Sequence, residues 1–413
     1  MITSERIQIA ICGSATALAG FALVLVLATA AALPVHAQTF TVLHQFKGAP
    51  DGSVSWSTLV PDPSGNFYGT TSIGGDGYGT IFQINTAGKL KILHRLKANE
   101  GGTPYAGLLR DSEGNLYGTT TAYGAYGNGT VFKLDKAGRL RVLYSFKGGS
   151  DGADPRAALI RDKKGNLYGT TFIGGRPGCF QNGCGTVFKV DTAGKETVLY
   201  AFGAYDGDGM FPFAGVIIDS QGNLYGTTGI GGSHRSSVCI ETGCGTVFRL
   251  DPSGTETLLY EFNGGTDGAN PLAALIRDQK GNLFGTAWNG GDLNCNFGGG
   301  CGVVFKVDSN NKETVLYNFE ATDGGGIPEA GLVRDAAGNF YGTTYGGAGL
   351  CGAYCGAVFK LDRNRQETLL HKFIGNDGGQ PIGTVAFDAK GNLYGTTSSY
   401  GKYNLGTVYR LTP

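Results

Sequence analysis

A seven-residue motif recurs along this chain at nearly constant spacing, and this repetition is the strongest constraint on its fold. Copies of GNLYGTT or a close variant begin at seven glycines: Gly65, Gly114, Gly165, Gly222, Gly281, Gly338 and Gly391. Successive copies are 49, 51, 57, 59, 57 and 53 residues apart. A period of this length is typical of solenoids and propellers, in which a single repeat cannot bury its apolar surface alone.

Each repeat is predicted to contain four short β-strands. In the repeat at residues 155–202, the runs AALIRD, LYGTT, GTVFKVD and ETVLYAF have the composition of strands and show no helical period. The first two strands of every repeat are joined by Asp-x-x-Gly-Asn, which begins at Asp62, Asp111, Asp162, Asp219, Asp278, Asp335 and Asp388. A similar turn joins the last two strands, although Asn311 and Arg365 replace its glycine in repeats five and six. Such turns connect antiparallel strands, so GNLYGTT is predicted to build structure rather than to perform chemistry.

Four antiparallel strands in each of seven repeats predict an all-β fold, the seven-bladed β-propeller. The last repeat ends at GTVYRLTP and lacks a fourth strand, whereas TFTVLHQF at residues 39–46 matches the fourth strands of the other repeats. This N-terminal strand is predicted to complete the last blade and to remove the exposed sheet edges. Residues 38–413 are therefore predicted to form one propeller of repeats about 50–59 residues long.

The repeated pattern GNLYGTT…GTVFKLD…ETVLYSFKGG resembles the bacterial GloVer tandem-repeat family, surface or secreted proteins with varied C-terminal anchors. The resemblance covers nearly all of residues 39–413. It implies an extracytoplasmic, propeller-like protein. It implies no activity for any named residue.

The first 37 residues are predicted to be a signal peptide. Arg6 precedes an apolar stretch at residues 7–33, and the small residues Val35 and Ala37 fit a signal-peptidase site, so the mature chain is expected to start at Gln38. An uncleaved membrane anchor is the alternative, because the apolar run is long enough to span a bilayer. No later run is that long, so no membrane span is expected after cleavage and the protein is expected to be secreted, periplasmic or on the cell surface.

The charge balance excludes electrostatic attraction to nucleic acid as a basis for function. The chain has 33 basic and 33 acidic residues, and therefore no excess of positive charge for phosphates or anionic lipids. We expect a monomer.

Eight cysteines fall into four close pairs, each between the second and third strands of a repeat. The predicted disulfides are Cys179–Cys184, Cys239–Cys244, Cys295–Cys301 and Cys351–Cys355. Zinc bound by two pairs is the alternative, but spacings of three, four and five intervening residues are irregular for such a site.

The connections between repeats carry an acid followed by glycine: Asp51, Glu100, Asp151, Asp206, Asp267, Asp323 and Asp377. A ring of acids indicates calcium, whereas turn formation by the same side chains requires no ion. We expect no cofactor, with calcium left as an alternative.

Ligand-binding residues are expected where the repeats differ. Just before each first strand lies a variable residue that is followed by two small ones: Trp56, Tyr105, Arg156, Phe213, Leu272, Glu329 and Ile382. The candidate ligand-binding residues are Trp56, Tyr105, Arg156, Phe213 and Glu329, with Trp288 in a neighbouring loop. Aromatic rings with one Arg and one Glu around a propeller mouth suit a sugar or a peptide. Packing between blades is the alternative role for Trp56 and Tyr105.

Two function classes stay open. The first is a secreted or cell-surface, non-catalytic binding or scaffold protein for an extracellular carbohydrate or protein ligand. The second is a propeller enzyme, a glycoside hydrolase or lyase acting on extracellular carbohydrate, since Asp and Glu ring the mouth. No catalytic residue or metal ligand is assigned, because only His234 of the five histidines lies in a loop of that face. The sequence therefore favours the first class.

Overall fold

The computed structural model describes residues 38–179, 182–239, 242–295, 298–320, 325–346 and 355–412. The predicted signal peptide lies outside these ranges. Within them, the chain is built mainly from short β-strands and turns, with a 3-10 turn at Gly149–Asp151. No helix in the described ranges has the length and apolar character needed to cross a bilayer.

The strands are numbered along the chain, beginning with β1 (Thr39–Gln45). Blade 1 contains β2 (Val60–Pro61), β3 (Asn66–Thr71), β4 (Thr80–Asn85) and β5 (Leu90–Arg95), and blade 2 contains β6 (Leu109–Arg110), β7 (Leu116–Thr120), β8 (Thr130–Leu134) and β9 (Leu140–Ser145). Blade 3 contains β10 (Ile160–Arg161), β11 (Leu167–Thr171), β12 (Thr186–Val190) and β13 (Glu196–Ala201). Blade 4 contains β15 (Ile217–Ile218), β16 (Leu224–Thr228), β18 (Thr246–Leu250) and β19 (Glu256–Glu261). The remaining short strands β14 (Gly209–Met210) and β17 (Ile230–Gly231) form a two-stranded ribbon beside blade 4.

Blades 5 to 7 continue the same order. Blade 5 contains β20 (Ile276–Arg277), β21 (Leu283–Ala287), β22 (Val303–Val307) and β23 (Glu313–Asn318). Blade 6 contains β24 (Val333–Arg334), β25 (Phe340–Thr344), β26 (Ala357–Leu361) and β27 (Glu367–Lys372). Blade 7 contains β28 (Ala386–Phe387), β29 (Leu393–Thr397) and β30 (Thr407–Thr412).

Seven four-stranded antiparallel sheets confirm the predicted propeller. The strands of blades 1 to 6 follow each other in sequence order from the axis outward, whereas blade 7 has the order β28-β29-β30-β1. Strand β1 pairs with β30 from Thr39↔Thr412 to Gln45↔Thr407. The N-terminal strand is thus the outer strand of the last blade, as the sequence predicts, and the ring is closed by pairing of the two ends.

The repeated motif supplies hydrogen bonds both within and between blades. In blade 3, Asp162 accepts hydrogen bonds from the backbone and side chain of Asn166 and from the Tyr168 hydroxyl, while Gly165 has a φ of 91°. Thr170 Oγ1 donates to the carbonyl of Ala214 in blade 4 at 2.9 Å. The corresponding bond from Thr396 of blade 7 reaches Ser57 of blade 1 and so spans the closure.

The apolar core lies between neighbouring blades. A phenylalanine just after the outer strand of one blade meets an aromatic ring on the third strand of the next, as in Phe146–Phe188, with ring centroids 5.0 Å apart. The same contact recurs as Phe46–Phe82, Phe202–Phe248, Phe262–Phe305, Phe319–Phe359 and Phe373–Tyr409. Because each blade buries its faces against two neighbours, the stability of every blade depends on the closed ring.

A second contact between blades joins a Tyr or His of the outer strand to an acid in the following connection. Tyr144, Tyr200 and Tyr260 donate to Asp151, Asp208 and Asp267, while His44, His94 and His371 bond to Asp51, Glu100 and Asp377. Asp208, rather than the Asp206 of the repeated Asp-Gly pattern, takes this place between blades 3 and 4. Three of the histidines therefore do more than pack, since each is paired with a carboxylate.

The Tyr–acid contacts and the His–acid contacts differ in the residue that the next blade places beside them. Where the outer-strand residue is Tyr144, Tyr200 or Tyr260, the next outer strand begins with Glu196, Glu256 or Glu313. Where it is His44, His94 or His371, the corresponding residue is the apolar Leu90, Leu140 or Phe40. Phe40 stacks on His371 with ring centroids 3.5 Å apart. The contacts are therefore of two kinds, with one or two carboxyl groups.

Candidate functional site

An axial channel of about 250 Å³ runs between the first strands of the seven blades. Its wall is formed by the small residues that follow each variable position, such as Ala106 and Gly107. The lining also contains all seven variable residues: Trp56, Tyr105, Arg156, Phe213, Leu272, Glu329 and Ile382. All seven are half-buried. The structure thus brings together residues that are spread over more than 300 positions of sequence.

These variable residues lie on the side of the ring that carries the long loops between second and third strands. We call this side the loop face, and the opposite side, with the Asp-x-x-Gly turns, the turn face. A second depression of about 340 Å³ on the loop face shares Tyr105 and Arg156 with the channel. Tyr105 and Arg156 therefore lie where the channel opens into the loops.

A backbone device found in all seven blades holds the variable residues. Two positions before each of them stands a non-glycine residue in the left-handed region, with φ between 50° and 60°: Val54, Thr103, Asp154, Phe211, Asn270, Ile327 and Gln380. For an L-residue this conformation costs about 1 kcal/mol or more, and it is rarest for β-branched residues such as Val54 and Ile327. Because it recurs in every blade, the surrounding structure must enforce it.

Two backbone hydrogen bonds enforce this conformation. In blade 4, the N–H of Phe211 donates to the carbonyl of Cys184 in blade 3, and its own carbonyl accepts from the N–H of Gly229. The same pair of bonds clamps the equivalent residue in each other blade. In blades 4 to 7, the accepting carbonyls belong to Cys184, Cys244, Cys301 and Cys355.

Three predicted disulfides are present: Cys179–Cys184, Cys239–Cys244 and Cys295–Cys301. For the fourth predicted link, Cys355 is buried and Cys351 lies outside the described residues. Each disulfide fixes the segment whose carbonyl holds the next blade's left-handed residue. The cysteines therefore support the channel mouth as well as their own loops.

Blades 1 to 4 contribute an aromatic and cationic sector of the mouth. Trp56 meets Tyr105 edge to face, with centroids 4.4 Å apart, and Trp56 Nε1 is buried with no hydrogen-bond partner among the described residues. The Arg156 guanidinium lies 3.8 Å from the ring centroid of Phe172 and 4.9 Å from that of Phe213. It also forms an ion pair with Asp154 at 2.6 Å. Arg156 is thus held in place by both its charge and its planar face.

Blades 5 to 7 contribute a sector with a different character, formed by Leu272, Glu329 and Ile382. Burial raises the pKa of the Glu329 carboxyl to about 7. Within the described residues, Glu329 takes part in no hydrogen bond or ion pair. A carboxyl group that titrates near neutrality can donate a hydrogen bond to a ligand when it is protonated and accept one from a ligand when it is ionised.

Trp288 is separate from the channel. It follows β21 and bonds through its backbone N–H to the carbonyl of Asn270, but it does not line the channel. Its Nε1 is buried without a hydrogen-bond partner among the described residues. Phe172, which holds the same place in blade 3, contacts Arg156 and was not among the predicted site residues. The left-handed residues were also missed, although six of the seven stand directly before a proline.

Five of the seven connection acids are engaged in hydrogen bonds within their turns, and Asp323 lies outside the described residues. Asp51 accepts hydrogen bonds from the backbone N–H of Lys47 and from His44, and Asp267 accepts from Asn263 and Tyr260. No group of three or more His, Cys, Asp or Glu side chains in the described ranges is arranged to hold a metal ion. Calcium binding by these connections stays an untested prediction.

A family model described as the Gloeobacter/Verrucomicrobia repeat matches residues 28–240 and 178–355. The two matches together span well over half of the chain. None of the curated proteins is significantly similar to it in sequence.

Solved structures with a similar fold come from both sensors and enzymes. The extracellular domain of a hybrid two-component system from B. thetaiotaomicron has a TM-score of 0.55 at 16% identity, over 91% of this chain and 41% of that one. An oligogalacturonate lyase from Vibrio parahaemolyticus has a TM-score of 0.55 at 12% identity, over 90% and 93% of the two chains. This chain thus spans about two fifths of the sensor domain. At these identities the similarity shows the fold alone.

Proposed function

The chain belongs to the Gloeobacter/Verrucomicrobia repeat family, and on this basis we propose that it is an extracytoplasmic, non-catalytic binding protein whose ligand occupies the channel mouth on the loop face. The expected ligand is a carbohydrate or a peptide. Extracytoplasmic location is supported by the three disulfides, which persist in oxidising compartments.

One observation carries this proposal: an identical backbone clamp presents seven different side chains to one channel. If these residues served only to pack the ring, the repeats would be expected to use similar side chains there, as they do in their strands. Instead the positions carry Trp, Tyr, Arg, Phe, Leu, Glu and Ile. The mouth therefore combines the strict geometry of the repeat with the chemical variety that a specific ligand needs.

The two sectors fit a ligand with an apolar face and polar groups at its edge. The Trp56 and Tyr105 rings can stack on the C–H face of a sugar or on an apolar peptide side chain. Glu329 can bond a hydroxyl or amide at the opposite side of the channel. Arg156 is already paired with Asp154. It is therefore expected to shape the channel mouth rather than to offer an unpaired charge to the ligand.

The test uses glycan and peptide arrays, followed by calorimetric titration of each hit. We expect Trp56→Ala and Tyr105→Ala to weaken binding at least about tenfold, which corresponds to the loss of one stacking contact of about 1.4 kcal/mol. Their melting temperatures should change little, because both side chains are only half-buried. Tyr168→Ala, which removes a half-buried aromatic residue on the turn side of blade 3, is the matched control and should leave affinity unchanged.

Normal affinity in both aromatic variants, combined with early unfolding, would show that Trp56 and Tyr105 are packing residues. The site would then have to be sought among the disulfide loops, near Trp288 and His234.

A carbohydrate-active enzyme is the second candidate, and Glu329 is the observation that favours it. Its pKa of about 7 suits a general acid at neutral pH. Hydrolysis or elimination would also need a second group near the substrate, and Asp154 is occupied by Arg156. Incubation of every glycan hit with the protein, followed by mass spectrometry, distinguishes the two: binding without product supports a binding protein, whereas product that disappears in Glu329→Gln supports the enzyme.

A further inference from the structure

A cavity of about 760 Å³ opens on the turn face between blade 7 and blade 1. We call it the seam cavity, because it lies where the two chain ends complete the ring. None of its lining residues lines the axial channel. It is therefore a separate place from the proposed ligand site at the loop face.

One feature that leaves room for the cavity is the residue at the end of the first strand of blade 1, which differs from that of four other blades. In blades 2, 3, 5 and 6, the first strand ends in arginine: Arg110, Arg161, Arg277 and Arg334. Arg161 lies over the ring of Tyr117 in the preceding blade at 5.8 Å, and Arg277 lies over Tyr225 at 5.4 Å. In blade 1 this place is taken by Pro61, which lines the seam cavity together with Tyr394 of blade 7. The long arginine side chain of blades 2, 3, 5 and 6 is thus missing at this seam, where Pro61 is much shorter.

The charged groups that line the seam cavity carry one net positive charge, since three cations stand against the two carboxylates of Asp62 and Asp388. Asp62 and Asp388 are each occupied by four hydrogen bonds within their own turns. The cations Arg110, Lys390 and Arg410 form no ion pair with any described residue. The Nε atoms of Arg110 and Arg410 are buried and have no hydrogen-bond partner among the described residues. Two of the six buried side-chain donors without a partner among the described residues thus belong to arginines that line this one cavity.

Arginine and lysine side chains without an ion-pair partner are best matched by an oxyanion, and the planar guanidinium group suits a carboxylate or a phosphate. The cavity also offers an apolar wall, since Phe67 and Tyr394 are stacked there with ring centroids 4.0 Å apart. Its volume lies in the range of small-molecule sites. We propose that the seam cavity binds a small oxyanion, a carboxylate or a phosphate ester, that is carried on a sugar-sized ring.

The test titrates the protein with glucuronate, glucose 6-phosphate and neutral glucose, with affinity measured by calorimetry. We expect one or both anions to bind and glucose to bind at least about tenfold more weakly, with affinity falling as salt is raised. The two anions distinguish a carboxylate from a phosphate ligand. Binding of glucose equal to that of both anions, or no binding of either anion, would overturn the proposal.

Three variants locate the binding. Pro61→Arg restores the residue of the other blades and should fill the cavity, so that anion affinity drops at least about tenfold while the fold is kept. Arg110→Gln should have a similar effect through loss of one charged donor. Arg161→Gln removes an equivalent arginine at a seam without this cavity and should bind normally.

Unchanged anion affinity in both Pro61→Arg and Arg110→Gln would place the anion elsewhere and contradict the proposal. Trp56→Ala should bind the anion normally, and this result separates the seam cavity from the channel mouth. Failure of the seam cavity in these tests leaves the proposed function of the loop face unaffected.

Discussion

Asp162 accepts four hydrogen bonds within one hairpin turn, two from the backbone N–H groups of Lys164 and Asn166 and two from the side chains of Asn166 and Tyr168. Partial burial raises its pKa, but these hydrogen bonds outweigh burial and hold the pKa below its ordinary value of 3.8. The carboxylate is therefore the form that stabilises the turn. In this turn the Asp, Asn and Tyr of the motif act together.

Asp162→Ala is predicted to lower the free energy of unfolding at pH 7 by about 1–3 kcal/mol, through the loss of hydrogen bonds to a charged group. The folded-state pKa is depressed, so this stabilisation is present above the unfolded pKa and is lost as pH falls through the folded pKa, below pH 3.8. Urea denaturation at several pH values measures both effects.

Asp278→Ala is the matched control, because Phe284 stands where the other blades have Tyr and Asp278 accepts only three hydrogen bonds. Its cost should be smaller than that of Asp162→Ala. Equal costs for the two variants would contradict a stabilising role for the tyrosine hydroxyl.

Single residues show where sequence reasoning succeeds and where it stops. The Asp and Gly of the turns were predictable because their roles are local: the side chain bonds its own turn, and Gly165 takes the left-handed conformation. Arg365 takes it too, with a φ of 64°. The left-handed Phe211 was not predictable, since a residue before proline is biased toward extended conformations. Its conformation is imposed by the carbonyl of Cys184, which is distant in sequence.

At the scale of strands, the contacts made by the Tyr or His of each outer strand are of two kinds, which differ in whether the next blade adds a glutamate or an apolar residue. Burial raises the pKa of Glu196 to about 7, and the nearby Asp151 raises it further, while Lys147 opposes the shift. Glu256, near Asp208 and Tyr205, and Glu313, near Asp267, also have pKa values raised to about 7, chiefly by burial. The histidine contacts place an apolar residue where these glutamates stand.

The glutamate contacts are predicted to weaken as pH rises. Because the folded-state pKa is about 7 and the ordinary value is 4.5, each protonated glutamate contributes stability that is present below pH 4.5 and is lost as pH rises to about 7. The triple variant Glu196→Gln, Glu256→Gln and Glu313→Gln should therefore lose less stability than the wild type between pH 5 and pH 8. The difference should be about 1 kcal/mol or less for each glutamate, since these side chains are screened by solvent.

Melting curves at the two pH values test this prediction, with the exposed Glu320→Gln as the control that should follow the wild type. A triple variant whose pH dependence matches that of the wild type would rule out protonated glutamates at these contacts. The sequence could not reveal this pairing. It requires residues of one outer strand to meet the start of the next, a contact that only the ring geometry brings about, and the same geometry selects Asp208 over Asp206.

At the scale of the whole molecule, the ring is closed by one strand. β1 supplies Phe40, which stacks on His371 of blade 6, and it leads directly into the fully buried Phe46. Removal of residues 38–46 should expose the edge of β30 and uncover the core between blades 7 and 1, so that most of the stability is lost. Thermal unfolding of this deletion, compared with a chain lacking only residues 1–37, measures the effect. Equal melting temperatures would contradict closure by β1.

The number of blades and their closure were predictable because they follow from counting repeats and matching the two ends. The loop-face mouth was predictable in membership, since all seven variable residues meet in the channel. Its two sectors were not, because they depend on which blades are neighbours across the axis and on burial around Glu329. The seam cavity was not predicted either, because it is formed only when the folded ring brings Pro61 of blade 1 next to Tyr394 of blade 7.

The most direct measurement of the central claim is a hydrogen–deuterium exchange footprint of the protein with a ligand identified on the arrays. Ligand binding at the mouth should slow exchange in the segments around Trp56, Tyr105, Phe213 and Glu329, which belong to four different blades and meet only at the channel. Exchange in the turn-face segments, such as that around Asp162, should not change. Protection confined to the turn face or to the outer strands, with the mouth segments exchanging as in the free protein, would contradict the account.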